Sequence, residues 1–289
     1  MKRFPAAVAL FFPLMAATHA DWRVELPPAL SEWKSEIEAA SNGRLIPVRI
    51  FTDPANREIR LPTDIPAIEV LERYLRDTAF LEQFALAHAL TIDYQGVEGR
   101  LFFVLLNMAL AGEWEGAEEA LLAHEFGHVW LNLNGYPSLA FRGTEACVAL
   151  HASDIVQHEL LRQDFRRRGI DYDSFWIRNL ERARLELASR QKQAAQESPC
   201  RRLAGLTLWI DVRLGLTSRE WAHRDEFLAA LDGRYPEWRE LAAELAQHIE
   251  KADLRHRRQY RETLDLAARR IQQHLRGKSY SAETKGLNL

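Results

Sequence analysis

The chain of 289 residues carries 38 Lys+Arg against 41 Asp+Glu, with 47% apolar and 27% charged residues, ordinary values for a folded globular protein. That balance excludes a disordered chain, a collagen and a coiled-coil array, and its mild negative charge gives no reason to expect nucleic acid as a partner. Only two cysteines, Cys147 and Cys200, are present, so one internal bridge is the most they can form, and stability has to come from an apolar core.

Residues 1–20 read as a cleaved secretory signal: a basic start at Lys2-Arg3, an apolar stretch from Phe4 to Ala17 and a small-residue stop at Thr18-His19-Ala20. Asp21 follows, where a lipid-anchored protein would show Cys. No later run approaches the roughly 18 uninterrupted apolar residues of a spanning helix. The mature protein is therefore expected to be periplasmic or secreted, without stable membrane insertion.

Leu45 to Phe51 reads as a strand, confined to an edge by Pro47. Asp64 as a cap and Pro66 in the first turn open one broken helix or two consecutive ones before His88. Thr91 to Tyr94 and Leu101 to Leu106 resemble a hairpin, although the second run is continuously apolar and carries no period, so a buried helix also fits. Glu118 to Leu133 is a helix stopped by Asn134-Gly135 and Pro137. Further helices are expected from Thr144 to about Arg168 and from Ser174 to about Gln196. Beyond Leu203 the pattern stays helical, with Thr217 and Glu220 as a capping box, Pro236 opening another helix and the last dozen residues frayed. The basic stretch Lys251 to Arg276 reads as the solvated face of a helix.

Inside the Glu118 to Leu133 helix lies His124-Glu125-Phe126-Gly127-His128. At 100° per residue the two histidines are about 40° apart on the wheel and one turn apart along the axis, which suits a single zinc ion. Glu125 flanks them as a carboxylate outside the ligand set, placed to act as general base toward a zinc-activated water. Gly127 costs about 1 kcal/mol against Ala in mid-helix and suggests a close approach by a neighbouring element.

At these residues the chain resembles the zincin metallopeptidases, gluzincin-like in carrying H-E-x-x-H and specifically in the form H-E-x-G-H, without assignment to a subfamily. The metzincin extension is missing, since Leu131 and Asn134 stand where glycine and histidine are required. The thermolysin-like glutamate ligand is missing too, Val148 standing near its place. The resemblance implies a zinc-dependent hydrolase with zinc on His124 and His128 and Glu125 as general base and then acid.

A catalytic zinc wants a third protein ligand. On the helix beginning at Thr144, Cys147, His151, Asp154 and His158 share an arc of about 60°, with Glu145 about 120° from His151. The rest of that helix is apolar nearly all round, as in a buried element. His158 is the preferred ligand, and Asp154 the alternative ligand or the carboxylate orienting a ligand histidine; His151 and Glu145 also remain open. Tyr136, Arg142 and His151 are candidates for oxyanion support, while Cys147 is expected to pair with Cys200 or be buried.

The expected fold is α+β and mostly α-helical, with a small N-terminal sheet packed on a zincin-like active-site helix and a helical C-terminal half. Residues 21–199 form the expected peptidase domain, and 200–289 a helical region packed on the same core. The expected function is an exported zinc metallopeptidase acting on a peptide or protein substrate, with Leu101 to Leu106 as the edge strand that pairs with it and Asn107 in the cleft wall. The rivals are a non-catalytic exported helical binding protein with a structural metal and a cell-wall peptide amidase.

Overall fold

The computed structural model describes residues 22–52, 59–61, 64–85, 87–97, 99–139, 146–189 and 197–285; the signal segment, Arg142, Thr144 and Glu145 lie outside them. Helix α1 (Pro28–Ser41) opens with proline in its first turn and buries Leu30, Trp33 and Ile37. It leads into β1 (Gly43–Thr52), followed by the two-residue β2 (Ile59–Arg60), α2 (Ile68–Leu75) and α3 (Thr78–Phe84). The hairpin of β3 (Ala89–Gly96) and β4 (Gly99–Asn107) completes a mixed sheet in the order β2-β1-β4-β3. β1 runs parallel to β4 and, on its other side, among the described residues, meets β2 at residues 51–52 and the Arg23–Val48 bridge. Pro47 thus has the edge environment its missing N–H demands.

β4 is central, which explains its lack of period. Phe102, Val104 and Leu106 enter the large helical core, while Phe103 and Leu105 pack on the opposite side with Val70, Leu71 and Phe84 from α2 and α3. A strand covered on both faces has no polar face to alternate with. The expectation that Leu101 to Leu106 is the free edge is therefore wrong: β3 occupies that place. Asn107 is not a cleft wall either. It is buried, donates to the carbonyls of Phe84 and Ala87, and accepts from the Ala109 amide, tying the sheet to the end of α3.

After a 3-10 turn and the short α4 (Ala111–Trp114), α5 (Glu118–Leu133) crosses the sheet, and α6 (Ala146–Arg168), α7 (Asp173–Ser189), α8 (Pro199–Gly215), α9 (Arg224–Arg234), α10 (Arg239–Lys251) and α11 (Arg257–Lys285) form the helical remainder. One continuous apolar core reaches from Leu30 to Ile271 and includes residues on both sides of position 199. Cys147 and Cys200 are bridged, with Cα atoms 5.7 Å apart, stapling the first turn of α6 to that of α8. Among the described residues no helix is long and apolar enough to cross a membrane.

Local signals were used differently from the expectation in three places. Asp64 does not cap a helix; it accepts from the Trp22 indole and the Arg23 guanidinium, pinning the N-terminal segment. The Thr217–Glu220 box forms reciprocally, with the Thr217 amide on Glu220 and the Glu220 amide on the Thr217 hydroxyl, but closes a single turn before α9. The last helix passes Gly277 and continues to Lys285.

Candidate metal centre

Helix α5 is fixed at both ends. In its first turn Glu118 receives a two-pronged bond from Arg49 of β1 at 2.9 Å and 2.9 Å, while Gly135, at φ 85°, lets the Tyr136 amide close back on the Leu131 carbonyl at 2.9 Å. Between these anchors Phe126 and Val129 enter the core. Gly127 earns its place, because a Cβ there would collide with Leu161 of α6 and crowd Trp33 of α1. The opposite face carries His124, Glu125 and His128.

α6 packs along α5 and brings His158 to the same point. The ligand nitrogens of His124, His128 and His158 all lie within 4.8 Å of one another. The Nε2 atoms of His124 and His128 are 3.1 Å apart, close to the roughly 3.3 Å between two nitrogens bound about 2.0–2.1 Å from a tetrahedral zinc. Two of the three rings are oriented from behind. His128 donates through Nδ1 to Gln157 Oε1 at 2.9 Å, and Gln157 is itself held by its amide on the Tyr136 carbonyl at 2.7 Å. His158 donates through Nδ1 to Asp211 of α8 at 2.8 Å, and Arg162 binds the other Asp211 oxygen at 3.2 Å. Both arrangements put the proton on Nδ1 and leave Nε2 as the donor toward the centre. His124 is covered by Tyr172, whose ring stacks on it at 5.8 Å.

Burial, and then repulsion from the other two imidazoles, holds His124 well below the usual histidine range, and burial lowers His128 as well. For His158 burial acts in the same direction, but the adjoining Asp211 outweighs it and raises the group. A nest of half-buried, mostly neutral imidazoles is the donor set a divalent borderline-soft cation prefers.

Glu125 stands outside the three donors. Burial pushes its carboxyl up to about 7, against the Thr91 hydroxyl, which donates to Oε2 at 2.7 Å and lowers it. A cation on the neighbouring imidazoles favours the charged carboxylate. The hydrogen bond links Glu125 to β3, the outer strand of the sheet. A cleft of about 470 Å³ opens from Leu121, His124 and Glu125 between Ala89 of β3 and Phe175 and Asn179 of α7. Behind it a cavity of about 90 Å³ runs past His158, Arg162 and Asp211.

No family model, curated protein or solved structure matches this chain. The site's geometry therefore stands by itself.

Of the residues singled out from sequence, His124, Glu125, His128 and His158 are brought together. Asp154 is not one of the three converging donors; burial raises its carboxyl above the ordinary range, against the lowering influence of His158 and His128. His151 points to α8, with Nδ1 3.0 Å from Thr207 Oγ1, and Tyr136 gives its hydroxyl to the Arg255 carbonyl at 2.7 Å. Neither belongs to the converging nitrogens, and each is hydrogen-bonded elsewhere. His88 lines the cleft and binds Glu113 at 3.1 Å. Asp211, Gln157, Thr91 and Tyr172 were missed. Asp211 did leave a signal, an acid inside the apolar run Leu206 to Val212, whereas Thr91 is linked to Glu125 only by the fold.

Proposed function

We propose that the protein is an exported zinc-dependent metallopeptidase whose ligands are His124, His128 and His158 and whose general base is Glu125. The observation that carries this reading is the convergence of three imidazole nitrogens beside a carboxylate that lies outside the cluster and faces a cleft. A structural zinc takes four protein ligands, and a catalytic one takes three with a position left open; among the described residues three donors converge. Zinc held there supplies Lewis acidity toward the scissile carbonyl and makes water a nucleophile at neutral pH.

The remaining chemistry belongs to the chain. Thr91 fixes Glu125 through Oε2, so that Oε1 takes the proton of the attacking water and then hands it to the departing amine. Asp211 and Gln157 hold two of the rings in the tautomer that keeps Nε2 unprotonated. β3 offers its outer main-chain groups, beside the base, to an extended peptide. Tyr172 shields one face of His124 from water.

Metal analysis of purified wild type beside Glu125→Gln, with a general peptide-hydrolysis assay, tests the reading. Equimolar zinc in both, with turnover in the variant lower by about 10²–10⁴-fold, is expected. Turnover retained in Glu125→Gln removes the base, and stoichiometric zinc without hydrolysis in wild type favours the structural-metal rival.

A further inference from the structure

A second group of donors lies outside the proposed centre. Cys147 and His151 stand one turn apart on α6, Cys200 stands in the first turn of α8, and their ligand atoms lie within 4.8 Å of one another. In the oxidised chain the two sulfurs are bonded to each other, so only the imidazole is available. We infer that Cys147, His151 and Cys200 form a redox-gated site for a soft divalent cation such as zinc, closed while the disulfide is intact and opened by reduction.

Four observations carry this. The imidazole is already oriented: Thr207 gives its hydroxyl proton to the Leu203 carbonyl at 3.2 Å and is therefore an acceptor for His151 Nδ1–H at 3.0 Å, the ring also hydrogen-bonds to the backbone of Cys200, and a metal takes the nitrogen that is left unprotonated. This ring is half-buried and lies one turn from Cys147, beside both sulfurs. Cys200 is exposed to an attacking thiol in the first turn of α8. Finally, the displacement is small. Two thiolates about 2.3 Å from a tetrahedral zinc lie roughly 3.8 Å apart, so each sulfur moves by roughly 1 Å from its bonded position.

The redox step is a thiol–disulfide exchange. A dithiol of the compartment is oxidised to its disulfide, the Cys147–Cys200 bond accepts the two electrons, and two thiols result. Zinc binding then releases their two protons and forms two Zn–S bonds and one Zn–N bond. α6 and α8 also carry His158 and Asp211, so the cation takes over the staple that reduction removes.

The test is cobalt(II) titration of the full-length metal-free protein, untreated or reduced with a phosphine that is then removed, read by absorption and circular dichroism. The oxidised protein is expected to show no thiolate-to-cobalt charge-transfer band. The reduced protein is expected to keep its helical signal and bind one cobalt more than the oxidised protein, with that band in the near ultraviolet. In the reduced state His151→Ala is expected to abolish the band at equimolar metal, and Thr207→Val to weaken binding by about 10–100-fold. A reduced wild type without the band, with or without its helical signal, overturns the inference, as does unchanged affinity in His151→Ala. The band read with no zinc at His124, His128 and His158 leaves this site standing and removes the peptidase.

Discussion

Asp211 shows how one side chain shapes a centre it never enters. Its carboxylate accepts from His158 Nδ1 and from Arg162, and burial, which opposes its charge, is outweighed by these two partners, so it is held below the ordinary carboxylate range. Replacing it by Asn keeps the volume but gives His158 an amide in place of an anion. Asp211→Asn is expected to weaken zinc binding by about 10–100-fold, measured by competition with a chromophoric chelator; unchanged affinity would mean that the carboxylate serves Arg162 alone. Thr91 acts on the other side. A hydrogen bond to a charged group is worth about 1.5–3 kcal/mol, so Thr91→Val should lower kcat about tenfold or more with zinc content intact. Loss of zinc in that variant would place Thr91 in the support of the histidines instead.

The elements divide into those legible from local pattern and those decided by neighbours. α5 was readable because its stop signals, Asn134-Gly135, and its H-E-x-x-H spacing are both local, and α6 because an apolar surface nearly all round demands burial. β4 was ambiguous for the physical reason that both its faces are covered, and its central rank depends on β1, more than fifty positions earlier in the register. The third donor was legible as an arc on α6 with His158 preferred; its support was not, because Asp211 comes from α8, 53 residues away. The link between α6 and α8 is thus the element pair to test. The Cys147–Cys200 bridge spans 53 residues, and closing such a loop in the unfolded chain is worth about 4 kcal/mol in the entropy model. Replacing both cysteines by alanine should cost about 2–4 kcal/mol, read as a lower urea midpoint. An unchanged midpoint would show that core packing alone holds the two helices together.

At the scale of the molecule, the proposed ligands and their supports come from one core. His124 and His128 ride on α5, His158 on α6 and Asp211 on α8, and the buried apolar residues of all three helices belong to the cluster that extends to Ile271 of α11. Residues 200–289 are in this sense part of the frame of the site, and metal binding should be felt by the whole fold as a single event. Zinc that binds the folded chain and not the unfolded one stabilises it by about 2.7 kcal/mol at a free concentration a hundred times Kd. For a domain of this size that corresponds to a rise in Tm of roughly 5–10 °C. Calorimetry with and without zinc should show one transition that shifts as a unit, equally in Glu125→Gln, where the donors are intact, and not in His128→Ala, where one is lost. A second transition unmoved by zinc would separate the C-terminal helices from the metal centre, and an undiminished shift in His128→Ala would take the stabilising ion away from these three histidines.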